Sequence, residues 1–207
     1  MSALRVKLCG VRSVRDAVLC AEAGGDEIGI VFAPSSRRCV TPETAREIRA
    51  ALPLDIPLVG VFQDAALDEA FAIARDVGLA AVQLHGRLPT PQGALPLYAA
   101  VRVDSEAAIA GLGGLHRFRR VLLDGPAGGG GGISFAWSLA RKARAHFDAE
   151  VFVAGGLTPE NVADAIRAAR PDGVDVSSGI EGSDGLKDAG RVRAFVQAAR
   201  AAALEIE

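Results

Sequence analysis

Lys7 and Cys9 stand two residues apart in the short apolar run Leu4–Cys9, a spacing that puts both side chains on one side of a strand. An ammonium beside a thiol favours the thiolate and brings the cysteine toward general-base competence at neutral pH. Lys7 could instead pair with a core carboxylate such as Asp175, and the two roles can coexist. Asp124 closes a second apolar run, Arg120–Asp124, with a carboxylate that could also simply cap the next loop. An arginine pair, Arg37 and Arg38, follows a third run, and Gln83-Leu84-His85 brings an imidazole at the end of a fourth. Any one of these has a plain structural explanation; a buried cysteine, for instance, behaves as a small hydrophobe. Their shared position, each at or just past the end of an apolar run, argues for one site.

Anion chemistry has its own signals. Ala154-Gly155-Gly156-Leu157-Thr158 and Ser177-Ser178-Gly179-Ile180-Glu181 each place glycine after an apolar run and before a helix start. Free backbone N–H groups in such loops, aided by a helix dipole, bind phosphate. The alternative is that these glycines only make tight turns. The five-glycine run Gly128–Gly132 reads either as a flap over the site or as a plain flexible loop, and no dinucleotide fingerprint surrounds it. His85, His116 and His146 lack any metal-binding spacing, so no metal is expected. Arg117-Phe118-Arg119-Arg120 reads as the solvated entry to a strand.

Eight Val/Ile/Leu-rich runs must position these residues: Leu4–Cys9, Glu27–Phe32, Pro57–Phe62, Ala80–Leu84, Leu97–Val103, Arg120–Asp124, Glu150–Ala154 and Gly173–Val176. Between them lie helical stretches at Ser13–Ala23, Pro42–Leu52, Leu67–Val77, Phe135–Phe147 and Pro159–Ala169, and Asp188–Leu204 follows the last run. Near-continuous apolar strands alternating with amphipathic helices indicate a parallel sheet covered by helices. Thr41-Pro42-Glu43 and Thr158-Pro159-Glu160 each offer Thr as N-cap with Pro at the first helical position, and Ser134 is a candidate cap for the Phe135 helix. The fourth and fifth units are weak, since Pro89, Pro91, Gly93 and Pro96 leave little room for a helix and Ala107–Leu112 allows only a short one. Eight units of about 26 residues suit a closed (βα)8 TIM barrel, one domain over residues 1–207, better than an open doubly wound sheet. In such barrels the site lies at the C-terminal strand ends, with phosphate held after strands seven and eight. The reactive residues and both glycine loops above fall there.

Composition bounds the function. The 207 residues carry 23 Lys+Arg against 25 Asp+Glu, a formal net charge of −2, which argues against a nucleic-acid partner. Half the residues are hydrophobic, enough for a sizeable core, yet no run reaches membrane-spanning length. Cys9, Cys20 and Cys39 form an odd set without C-x-x-C, implying neither a disulfide framework nor a zinc site. A soluble, cytoplasmic protein is expected.

The motifs, taken in order, resemble the phosphoribosylanthranilate isomerase family of tryptophan biosynthesis nearly end to end. They are Lys7-Leu8-Cys9-Gly10, Gly29-Ile30-Val31-Phe32 with Ser36-Arg37-Arg38, Val59-Gly60-Val61-Phe62, Gln83-Leu84-His85-Gly86, Leu122-Leu123-Asp124, Gly155-Gly156-Leu157-Thr158-Pro159 and Asp175-Val176-Ser177-Ser178-Gly179-Ile180-Glu181. The resemblance implies an Amadori rearrangement of an aminoaldose phosphate, with Asp124 as general acid on the ring oxygen and Cys9 as general base at C2. It implies Arg38 as the holder of the anthranilate carboxylate, although neighbouring Arg37 could take that part. It places the phosphate on Gly155, Gly156, Ser178 and Gly179. Asp175 would meet sugar hydroxyls or anchor Lys7, while Gln83 and His85 would contact the substrate or only shape the rim. No cofactor is then required, the partner is a small-molecule substrate, and the state is a monomer or homodimer.

Two departures from the family pattern stand out. Five glycines and Phe135-Ala136-Trp137 replace a hydroxyl-bearing glycine loop followed by Phe-Asp-Trp, and no acid follows Gly86. The alternatives are another phosphosugar-barrel isomerase or a non-catalytic phosphosugar binder. Neither an internal repeat nor metal-spaced histidines support the former, and a binder has no use for both Cys9 and Asp124.

Overall fold

Burial on both faces is what closes the eight apolar runs into one sheet: side chains facing outward meet helices, and those facing inward meet each other. In the computed structural model, which describes residues 4–90, 93–103, 105, 115, 117–125, 132–144 and 148–206, the strands form a closed parallel barrel in sequence order. They are β1 (Arg5–Cys9), β2 (Glu27–Val31), β3 (Leu58–Gln63), β4 (Ala81–His85), β5 (Leu97–Arg102), β6 (Arg120–Asp124), β7 (Glu150–Ala154) and β8 (Gly173–Val176). β8 closes on β1 with Asp175 directly opposite Lys7. The described helices are α1 (Val14–Glu22), α2 (Pro42–Ala51), α3 (Leu67–Val77), α4 (Gly132–Arg144), α5 (Val162–Ala169) and α6 (Ala189–Ile206). None of them is long and apolar enough to cross a membrane. The described residues between β4 and β5 hold no helix, as the proline-rich sequence there leads one to expect, whereas Ala107–Leu112 lies outside the described residues.

Capping explains where the helices start. Ser13 and Thr41 accept the N–H groups of Asp16 and Thr44 at 3.1 and 3.3 Å, so α1 and α2 begin as expected. The helix expected from Pro159 begins only at Val162. Asn161 is the cause: its Oδ1 accepts from the Thr158 N–H at 2.8 Å and its Nδ2 donates to the Gly156 carbonyl at 3.0 Å, folding residues 158–161 into a separate turn. The helix expected to start after Ser134 begins earlier, with α4 running from Gly132. Glycine is a poor helix former but, unlike proline, it does not block extension backward.

The barrel floor corrects the reading of Arg117–Arg120 as a solvated entry. Arg117 and Arg119 are exposed, but Arg120 is 1% exposed and fills the barrel interior. Its guanidinium bonds Glu27 through Nη1 at 2.6 Å and Nη2 at 2.9 Å, and reaches Glu150 through Nη2 at 2.7 Å. It also lies 4.2 Å from the Tyr98 ring centre and 3.7 Å from that of Phe152. Gly173 makes the room, since a Cβ there would sit 2.3 Å from Phe152. Glu27 is buried too and also takes Arg5 at 2.8 Å. Removing one partner leaves a buried charge uncompensated, so Glu27→Gln is expected to lower the unfolding free energy by about 3–5 kcal/mol. A urea-unfolding midpoint measures it, and an unchanged midpoint would mean that water reaches the floor.

Candidate active site

At the opposite end of the barrel, strand alternation brings the candidate residues to one opening. Lys7, fully buried, and Cys9 lie on the interior side of β1, as the spacing predicted. Room for the thiol comes from Gly29 on β2, where a Cβ would stand 2.6 Å from the Cys9 Sγ. A cavity of about 280 Å³ opens above them, and its lining includes Cys9, Asp124, Arg38, Gln83, His85 and Asp175. Gly155, Gly156 and Ser178 line its other side. Cys9 and Asp124 come from β1 and β6, three strands apart around the ring, so they face each other across the cavity.

The charges are arranged in opposition. Lys7 donates to Asp175 Oδ1 at 2.8 Å, so Asp175 does anchor Lys7 while still lining the cavity. Burial alone would lower the Lys7 ammonium, but Asp175, Cys9 and Glu27 outweigh it and hold it above its ordinary value. Cys9 departs from the expectation of a thiol drawn down by Lys7. Burial pushes it up, and although Lys7 and Lys187 pull it down, the net direction is upward, with Asp175 adding to the rise. Asp124 is likewise raised, by burial and then by Asp175, against an opposing pull from Arg102. His85 is lowered, chiefly by burial, which keeps its ring neutral, and its Nε2 lies 2.9 Å from Gln83 Nε2. A thiol and a carboxylic acid, both displaced upward and facing one another, form an acid–base pair able to move protons on opposite sides of one small molecule.

The loops after β7 and β8 suit an anion. Gly155 and Gly156 have φ of 80° and 65°, the left-handed region that glycine adopts without strain. At Gly155 a Cβ would also meet Asp124 Oδ1 at 2.2 Å, whereas Gly156 has open space beside it. Ser177 leads into a short 3-10 turn, Ser178–Ile180, whose first N–H groups have no carbonyl within the turn to bond. Gly179 does not line the cavity itself; a Cβ there would fall 1.8 Å from the Leu157 carbonyl oxygen, so its bare backbone lets the loops after β7 and β8 touch. Gly179→Ala is expected to push these loops apart, costing about 1–3 kcal/mol in stability and weakening inorganic phosphate binding at least tenfold. A phosphate titration of the folded variant reads this, and undiminished affinity would remove the loop contact from the phosphate site.

Arg38 lines the cavity beside the loop after β8, since a Cβ on Gly10 would meet both its Cδ and Ser177 Oγ, while Arg37 is exposed and does not line it. Both arginines bond the buried Glu181. Glu181, Lys187, Asn161 and Arg102 were not singled out by sequence. Glu181 closes the second glycine-loop motif, which was the available signal; Asn161 lies two residues beyond Pro159, the end of the first, and Lys187 and Arg102 carried no signal. Among the described residues no group of three His, Cys, Asp or Glu side chains is placed to hold a metal ion, and His116, His146 and Gly128–Gly131 lie outside those residues.

The comparisons with known proteins converge on one family. A model of N-(5'-phosphoribosyl)anthranilate (PRA) isomerase matches residues 6–198. The N-(5'-phosphoribosyl)anthranilate isomerase of Myxococcus xanthus is 43% identical over 206 residues, covering 95% of this chain and 96% of that protein. A crystal structure of phosphoribosylanthranilate isomerase in complex with reduced 1-(o-carboxyphenylamino)-1-deoxyribulose 5-phosphate superimposes with a TM-score of 0.85 at 36% identity, covering 96% of this chain and 99% of that one. A structure of monomers of the dimeric enzyme from Thermotoga maritima gives a TM-score of 0.84 at 36% identity, with the same coverage.

Proposed function

Since the chain belongs to the phosphoribosylanthranilate isomerase family, whose activity is the Amadori step of tryptophan biosynthesis, we propose that Asp124 and Cys9 are the acid and base that carry it out. The reaction turns N-(5-phosphoribosyl)anthranilate into 1-(2-carboxyphenylamino)-1-deoxyribulose 5-phosphate. The observation that carries the assignment is the placement of the two groups on facing walls of one cavity, each with its proton affinity raised.

Asp124 gives its proton to the furanose ring oxygen, the C1–O bond breaks, and the anilino nitrogen supplies the electron pair that forms the C1 iminium. The iminium acidifies C2–H, which the Cys9 thiolate removes, and the electron pair moves to the C1–C2 bond to give an enolamine. Proton return to C1 and proton loss from the C2 hydroxyl then yield the ketone. Buried cationic Lys7, held by Asp175, favours the thiolate during this step without being consumed. Arg38 holds the anthranilate carboxylate with a planar fork suited to it. Gly155, Gly156 and Ser178 hold the phosphate through their backbone, Gly179 lets the two loops that carry them meet, and Asp175, Gln83 and His85 line the sugar.

Residues 1–207 form a single barrel domain in this reading, supported by the pairing of all eight strands into one ring. Three free cysteines fit a reducing, cytoplasmic setting, and the enzyme works there as a monomer or homodimer on a small molecule. The deciding experiment generates the fluorescent substrate in situ, adds the purified protein and follows the loss of signal. Rapid decay is expected. No decay, with the reduced product analogue still bound, would make the protein a phosphosugar binder, and neither decay nor binding would point to a different phosphosugar.

A further inference from the structure

Glu181 takes no part in the proton transfers, yet the fold buries its side chain to 3% exposure among three cations. Arg38 donates Nε to its Oε1 at 2.5 Å and Nη2 to its Oε2 at 2.9 Å. Arg37 donates to Oε2 at 2.7 Å, and Lys187 Nζ approaches Oε1 at 3.4 Å. Lys187, itself 1% exposed, also donates to the Ser177 carbonyl at 3.0 Å. One buried acid therefore joins the loop after β2, which carries Arg38, to the loop after β8, which carries Ser177 and Ser178.

A guanidinium has five N–H groups in one plane. Glu181 uses Nε–H and one N–H of Nη2, which occupies the side edge of Arg38. The end-on fork, one N–H of Nη1 and the remaining N–H of Nη2, is left for a second carboxylate to take in bidentate fashion. Holding the side edge stops the long side chain from rotating, so the ordering cost is met in folding rather than on ligand binding. Three cations against one carboxylate also leave net positive charge beside a cavity meant for a ligand with two anionic groups, a phosphate and a carboxylate.

We propose that Glu181 is a positioning residue that holds the end-on fork of Arg38 toward the cavity for the ligand's aromatic carboxylate, while Lys187 keeps that fork in register with the phosphate loop. The inference rests on the reading of Arg38 given above. A merely structural role for Glu181 would weaken every ligand alike; a positioning role weakens only those with the carboxylate.

The test compares two ligands by calorimetry: the reduced product analogue, and its counterpart with a phenyl ring in place of the 2-carboxyphenyl ring. The native protein is expected to prefer the carboxylate-bearing ligand. Glu181→Gln, which turns one acceptor into an NH2 group facing the guanidinium, is expected to shrink that preference about tenfold with little change for the phenyl ligand. KM for the substrate should rise more than kcat falls. In an Arg38→Ala background, Glu181→Gln should have no further effect on the preference. A full preference in folded Glu181→Gln overturns the proposal and leaves the Arg38 assignment standing, and so does an equal loss of both ligands. No preference in the native protein overturns the Arg38 assignment itself, and the proposal with it. If Glu181→Gln does not fold, Glu181→Asp, whose carboxylate is drawn back by one methylene, carries the same test with the same outcomes.

Discussion

Asp124→Asn is expected to lower kcat by about a thousandfold or more while leaving affinity for the reduced product analogue within about threefold. General acid catalysis contributes on the order of 10² to 10⁴, and ring opening has no other proton source placed at the ring oxygen in the proposed reading. Asparagine keeps the size of the side chain, which matters because the Asp124 carboxyl fills the space beside Gly155. Its amide can still donate a hydrogen bond but cannot transfer the proton. Stability should move the other way. A carboxyl whose folded pKa lies above its unfolded value stabilises the protein fully only below the unfolded pKa and loses that contribution as pH rises through the folded pKa. Burial and Asp175 put Asp124 in this class, so at neutral pH the native residue is a liability that asparagine removes. Melting temperature at pH 7 should therefore be unchanged or higher in the variant, and the difference should vanish in acid. A fall in melting temperature alongside lost activity would instead mark Asp124 as structural, and full activity would sink its role as the acid.

How far the sequence carried is clear from particular residues. Strand ends at Cys9, Asp124 and Ala154 were legible because branched apolar runs stop abruptly there, and barrel geometry then assigns all three to one rim. The spacing of Lys7 and Cys9 was legible for the same reason. What local reading could not supply was the outcome of competing long-range terms. Lys7 lowers Cys9, but burial outweighs it, and Asp175, 168 positions from Lys7 and paired with it, adds to the rise. Arg120 looked solvated beside Arg117 and Arg119 because alternation along a single strand does not reveal that Glu27 and Glu150 wait opposite it. Asn161 stopped α5 from starting at Pro159 through a side-chain turn that competes with the helix, a contest that capping preferences alone do not decide. Glu181 was marked only by its place at the end of a glycine-loop motif; its importance comes from three cations delivered by two loops.

Cys9→Ser is expected to reduce kcat by about a hundredfold or more with the fold intact, because serine is smaller than cysteine but its hydroxyl ionises far less readily. The native pH profile gives the reason. The productive state needs a proton on Asp124 and none on Cys9, whereas both raised values leave the thiol protonated over the range where Asp124 is already ionised. The productive fraction is then small and constant between the two pKa values. It falls below the Asp124 value because the thiolate disappears tenfold per pH unit while Asp124 can gain no more protons. It falls above the Cys9 value because the protonated acid disappears in the same way. The profile of kcat/KM should thus be a flat plateau with both edges displaced upward from ordinary carboxyl and thiol values. Cys9→Ser should lower the plateau and push its alkaline edge beyond reach, while the acid edge, set by Asp124, stays in place. A variant that keeps the alkaline edge would show that another group titrates there, and one with undiminished turnover would remove Cys9 from the role of base.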